Sequence, residues 1–184
     1  MSWSEGLGAV SQAVRGALLV FIAVLLQVTV ATDLDVLGGR PDLVVIVVVS
    51  IGLLRGPLPG AVAGFAAGFL VDALGLGVIG ATSLTLTTVG YLVGVLGERL
   101  RETAAVRPLL LIGAASILAG LGELVVAVLV GSGPAVSPGL FLAVVPGSML
   151  NVLLAIALYP LIRLALRRRQ RRTVVLDPES IITA

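Results

Sequence analysis

Six apolar runs, at 16–32, 41–54, 57–71, 80–97, 108–130 and 139–162, fill most of this chain of 184 residues. They constrain the fold more than any other feature. A helix needs about 20 apolar residues, with a range of about 17–25, to cross the hydrocarbon of a bilayer. Runs one, four, five and six reach that length, and runs two and three are short. Charged residues make up 12% of the chain, against about 25% in soluble domains. So few charges do not cover a surface for water. The pattern predicts an all-α polytopic membrane protein with six transmembrane helices. Runs two and three are read as short tilted spans rather than a re-entrant hairpin about residues 55–59. A hairpin tip there would carry Arg55 deep into the membrane, at a cost of about 2.5–3.5 kcal/mol or more.

The arginines orient these spans. All twelve basic residues are Arg, and six of them lie between positions 163 and 172. With six spans and a cytoplasmic N-terminus, eleven arginines fall on the inside: Arg15, Arg55, Arg99, Arg101, Arg107, Arg163, Arg167, Arg168, Arg169, Arg171 and Arg172. Arg40 alone falls outside. Positive charge retained on the inside in short loops fixes orientation, so both termini are expected to be cytoplasmic. Residues 1–165 form the six-helix transmembrane domain, and 166–184 form a basic, flexible cytoplasmic tail. The first run is read as a retained span, because VTVATDLD after it lacks a clean small-x-small cleavage site. The basic tail suits topology and contact with anionic membrane lipid. It lacks the interleaved aromatics and folded basic domain of a nucleic-acid binder.

The chain has no Cys, His or Lys. That excludes thiol nucleophiles, histidine bases, Schiff-base lysines and His/Cys zinc sites. GLGVIG at 75–80 formally matches G-x-G-x-x-G. A dinucleotide site needs that motif between a buried strand and a soluble helix, whereas its flanks here are membrane runs. The glycines are read as a tight turn. No catalytic, metal or cofactor constellation emerges, and no cofactor is expected.

Three polar or small-residue groupings stand out. Gly60, Gly64 and Gly68, spaced by four, share one face of run three. Such faces let another helix approach closely in lipid, either within the chain or from a partner. Asp42 opens run two and Asp72 ends run three, so with Arg40 they predict a polar cluster at the outer edge. It would serve capping and ion pairing, or contact with a solute or partner. Gln27, Glu123 and Asn151 lie inside runs one, five and six. Pairing among them would satisfy each one, and a proton or ligand site is the competing reading. The hydroxyls of Thr82, Ser83, Thr85, Thr87 and Thr88 in run four can bond back to their own helix.

PDLVVIVVVSIGLLRGPLPGAVAGFAAGFLVDALGLGVIGATSL, at 41–84, resembles the signature region of the rod shape-determining protein MreD family. The matching features are Pro41-Asp42 opening a span, Leu54-Arg55-Gly56 at the turn and the Gly60/Gly64/Gly68 ladder. Asp72 follows the ladder, and Gly80 to Leu84 open the next span. The resemblance implies a non-enzymatic component of the bacterial inner membrane that acts in wall elongation and rod shape. Its implied partners are MreC, MreB filaments, the RodA polymerase and a class B penicillin-binding protein. It also implies a six-helix design shared with the substrate-binding subunits of energy-coupling factor transporters, so a solute-capturing subunit is the alternative. A solute cavity calls for aromatic and polar lining. With one Trp, two Tyr and four Phe, the chain is poor in such groups, which favours the scaffold.

Overall fold

The computed structural model describes residues 3–29, 39–75, 80–99, 106–130 and 138–166. These form six α-helices: α1 Trp3–Thr29, α2 Leu43–Arg55, α3 Pro57–Leu74, α4 Ala81–Arg99, α5 Arg107–Val130 and α6 Pro138–Leu166. The tail beyond Leu166 lies outside the described residues.

Four stretches are long and apolar enough to cross a membrane: Val10–Thr29, Pro57–Leu74, Arg107–Val126 and Val144–Leu166. The chain is therefore an integral membrane protein. Two expectations from the sequence change here. Run three extends to Leu74 and reaches 18 residues, which is enough to span. Run four becomes a helix of 19 residues but falls below the apolarity of the others, because Thr82, Ser83, Thr85, Thr87 and Thr88 dilute it. Thr85, Thr87 and Thr88 spend their hydroxyls on the carbonyls of Ala81, Ser83 and Leu84, as hydroxyls in apolar surroundings do.

The centre of the bundle is α2, which contacts all five other helices. Nine consecutive residues, Val44 to Gly52, are buried. A helix that is apolar on every side has no face for water and belongs in the interior. Its 13 residues span only about 20 Å at 1.5 Å per residue, less than the roughly 30 Å hydrocarbon core. Its one buried hydroxyl, Ser50, donates to the Ile46 carbonyl at 2.7 Å. Arg55 closes the helix, and its Nη1 donates to the Gln12 carbonyl of α1 at 2.7 Å. A cation there also complements the helix's negative end.

The turn from α2 into α3 is a single residue, Gly56, with φ +96°. A side chain would be strained in that left-handed conformation. Gly56 donates its N–H back to the Gly52 carbonyl at 2.8 Å, and Pro57 starts α3, where its missing N–H costs nothing. The resulting α3 runs antiparallel to α4 at close range. Methyl groups built at Gly60, Gly64 and Gly68 would strike the backbone of Gly90, Leu86 and Ser83 respectively. On α4, Gly90 and Gly94 meet the backbone of Gly60 and Pro57 in return. Lipid tails are as apolar as these side chains, so it is the close approach itself that holds such a pair together. The opposite face of α3 carries Phe65 and Phe69, both exposed and stacked at 6.4 Å between ring centroids.

Candidate functional site

Gln27, Ser116 and Asn151, from three different helices, converge on the start of α2. A helix leaves its first N–H groups without intrahelical partners, and in apolar surroundings each orphan is costly. Here the chain supplies acceptors from three directions. The Asp42 carboxylate caps its own helix, accepting from the Val45 N–H at 3.0 Å. From α1, Gln27 accepts the Leu43 N–H at 2.9 Å, and its Nε2 donates to the Pro41 carbonyl at 3.2 Å. From α6, Asn151 Oδ1 accepts the Asp42 N–H at 2.6 Å. Asn151 Nδ2 in turn donates to Ser116 Oγ of α5 at 3.0 Å, and the Ser116 hydroxyl donates to the Ile112 carbonyl at 2.8 Å. Residues 41–43 are thus held as a clamp is held, by one amide from each side.

The segment leading into this clamp lies across α6. Gly39 rests on the backbone of Pro146 and Gly147, where a methyl group has no room. On the α6 side, a methyl at Gly147 would come within 3.2 Å of the Arg40 carbonyl. Ser116 stands at the middle of the candidate span Arg107–Val126, and Asn151 about a third of the way along Val144–Leu166. Non-helical backbone at that position is tolerated because protein buries it and satisfies it.

Asp72 makes a second polar centre. It is buried, with 5% of its surface exposed. Its Oδ2 accepts from the Gly80 N–H at 2.8 Å and the Ser83 N–H at 3.3 Å, and its Oδ1 from the Thr82 N–H at 3.3 Å. A carboxylate from the end of α3 therefore caps the start of α4, where orphan N–H groups and the positive end of the helix favour negative charge. Gly80, with φ +97°, bends the chain so that these N–H groups face Asp72.

The groupings expected from the sequence are rearranged accordingly. Gln27 and Asn151 meet on the backbone of 41–43 rather than on each other, and Glu123 shares no hydrogen bond with either. The hydrogen bonds of the Asp42 and Asp72 carboxylates run to backbone N–H groups of their own and the neighbouring helix, not to Arg40. Asp42, expected at the outer edge, is instead tied to the middle of α6. Gly60, Gly64 and Gly68 face α4 within the chain. Sequence reasoning missed Ser116, whose signal was a hydroxyl in an apolar span. It also missed the Gly39 contact with Pro146-Gly147, which no periodicity marks. Among the described residues no group of His, Cys, Asp and Glu is placed to hold a metal ion.

These features define a polytopic helical membrane protein built around a short, fully buried central helix. The chain matches the family of the rod shape-determining protein MreD over residues 9–169, most of its length, and belongs to that family. Membership assigns it a role in rod cell shape. No curated protein and no solved structure matches it.

Proposed function

We propose that the chain is a non-catalytic scaffold of the cell-wall elongation machinery in the bacterial inner membrane. It crosses six times with both termini in the cytoplasm. Its partners on this reading are MreC, MreB, RodA and a class B penicillin-binding protein, and its work is to keep lateral peptidoglycan synthesis assembled. The family match over residues 9–169 is the observation that carries this reading. The chemistry of the polar residues supports it. Asp42, Asp72, Gln27 and Asn151 are engaged in capping helices and holding backbone. A nucleophile needs an oriented base beside it, and these groups serve other ends.

One observation favours the alternative, a substrate-binding subunit of an energy-coupling factor type transporter. A short helix whose N-terminus opens against the interior of two spans is a device that transporters use at their binding sites. The two readings separate on depletion of the protein from a rod-shaped host, beside a binding screen on the purified chain. The scaffold predicts cells that widen and round, dispersed insertion of new wall, and no saturable solute binding. Normal shape on depletion together with tight binding of a vitamin-like solute would overturn it.

A further inference from the structure

One carboxylate in the described long spans has no role in either polar centre. Glu123 lies within the candidate span Arg107–Val126. It continues the series Ile112, Ser116 and Ala119, all buried, at steps of four, three and four along α5. On a helix such steps lie on one face, so Glu123 points the same way as the buried stripe. Unlike the rest of that stripe it is exposed. The neighbouring Gly122 abuts Thr85 of α4, and Gly120 abuts Val144 of α6. The helix is therefore packed on both sides at this level, while Glu123 between them is exposed. About 10 Å of helix separates it from Ser116, where the clamp on α2 sits.

Among the described residues, no hydrogen bond or ion pair ends on this carboxylate. Carboxylates within membrane spans pair with a donor or line water, because the alternative is costly. Asp42 and Asp72, whose charges bear on Glu123, are both negative and both occupied with backbone N–H groups. A positive occupant is what this surface lacks. A bare metal ion would need several ligands together, and the described residues offer no such group. A long basic side chain suits the place better. Its aliphatic stem covers apolar surface while its head reaches the carboxylate.

We infer that the exposed end of this stripe, at Glu123 of α5, is a docking site for an Arg or Lys side chain of a partner protein's membrane segment. The inference rests on the scaffold reading, since it requires membrane partners. It names where on this chain one of them is held.

The test is co-recovery of membrane partners with the tagged full-length chain from host membranes in mild detergent, for wild type, E123Q and E123R. Because the carboxylate has no hydrogen bond or ion pair among the described residues, all three should melt alike. E123Q should lower recovery of one partner several-fold, and E123R by about tenfold or more, as expected when one member of a desolvated charge pair is lost. Changing one Arg or Lys in that partner's membrane segment to Glu should restore recovery with E123R. Undiminished recovery of every partner by a normally melting E123R overturns the inference and leaves the scaffold reading intact. Loss that no single partner reversal restores also overturns it, as does rescue only by a second copy of this chain. A lowered melting point in E123Q would show that the carboxylate is used within the fold, against the inference. If the wild type recovers no membrane partner at all, the scaffold reading falls with it.

Discussion

Asn151→Ala probes the clamp on α2 directly. Asn151 is 3% exposed, and it makes two bonds, one from the Asp42 N–H at 2.6 Å and one to Ser116 Oγ at 3.0 Å. Truncation leaves a backbone N–H at the start of α2 without an acceptor. A buried orphan of that kind costs about 1–3 kcal/mol. The lost bond to Ser116 adds less, because Ser116 keeps its bond to the Ile112 carbonyl and side-chain bonds between membrane helices average about 0.6 kcal/mol. Together the variant should lose roughly 2–3 kcal/mol. Ser116→Ala should lose only about 0.6 kcal/mol, and the double variant little more than Asn151→Ala alone, because both single changes remove the same bond. The assay is unfolding in dodecylmaltoside micelles titrated with sodium dodecyl sulfate, followed by circular dichroism. Hydrogen exchange at the Asp42 amide provides the local readout and should accelerate in Asn151→Ala but not in Ser116→Ala. If Asn151→Ala costs no more than Ser116→Ala and leaves that exchange unchanged, the backbone of α2 does not depend on α6, and the clamp is wrong.

Three further outcomes follow from the packing, the caps and the charge pattern. Gly64→Ala places a methyl 2.5 Å from the Leu86 carbonyl carbon; backbone cannot yield, so a loss of about 1–3 kcal/mol is expected in the same titration. Gly113→Ala, whose methyl meets only Val152 Cγ2 at 3.0 Å, should cost less. Asp72→Ala removes the cap of α4 and should cost about 1–2 kcal/mol, with Asp72→Asn recovering part of it through the remaining oxygen; equal losses for the two would show that the hydrogen bonds matter little. Single cysteines at Gly38 and Ser132 should label from outside the cell and those at Thr103 and Ala184 only after permeabilisation, whereas external labelling at Ala184 would refute the cytoplasmic C-terminus.

The helices were legible in the sequence because their signals are local. Pro41-Asp42 marks the start of α2, Arg55-Gly56-Pro57 the turn into α3, and the Gly60/Gly64/Gly68 ladder a close contact. What the ladder touches was not legible, since a small-residue face suits an internal helix and a partner equally; only the three-dimensional arrangement names Gly90, Leu86 and Ser83 as its neighbours. Asp72 illustrates a different limit. Its position at the end of an apolar run suggested a surface charge, but its partners, the N–H groups of Gly80, Thr82 and Ser83, are backbone atoms that every residue possesses. No sequence pattern points to them. For the same reason Gln27 and Asn151 looked like partners of each other, when each was matched to main-chain groups of 41–43.

The shortness of α2 ties these findings together. A helix of 13 residues in the middle of a bundle cannot reach both membrane surfaces, so its N-terminal N–H groups fall where water is scarce. A longer α2 would satisfy them with its own carbonyls. This chain instead brings an extended segment, Gly39 to Asp42, down to the helix and stations Gln27 and Asn151 beside it. Gln27 and Asn151 are thereby accounted for by the backbone groups they satisfy, and Asp72 by the start of α4. Of the two carboxylates in the described long spans, Glu123 is the one left without such an account. The fold does not use its charge, and lipid would not tolerate it unpaired. The basic side chain inferred above, supplied from outside the chain, would satisfy it.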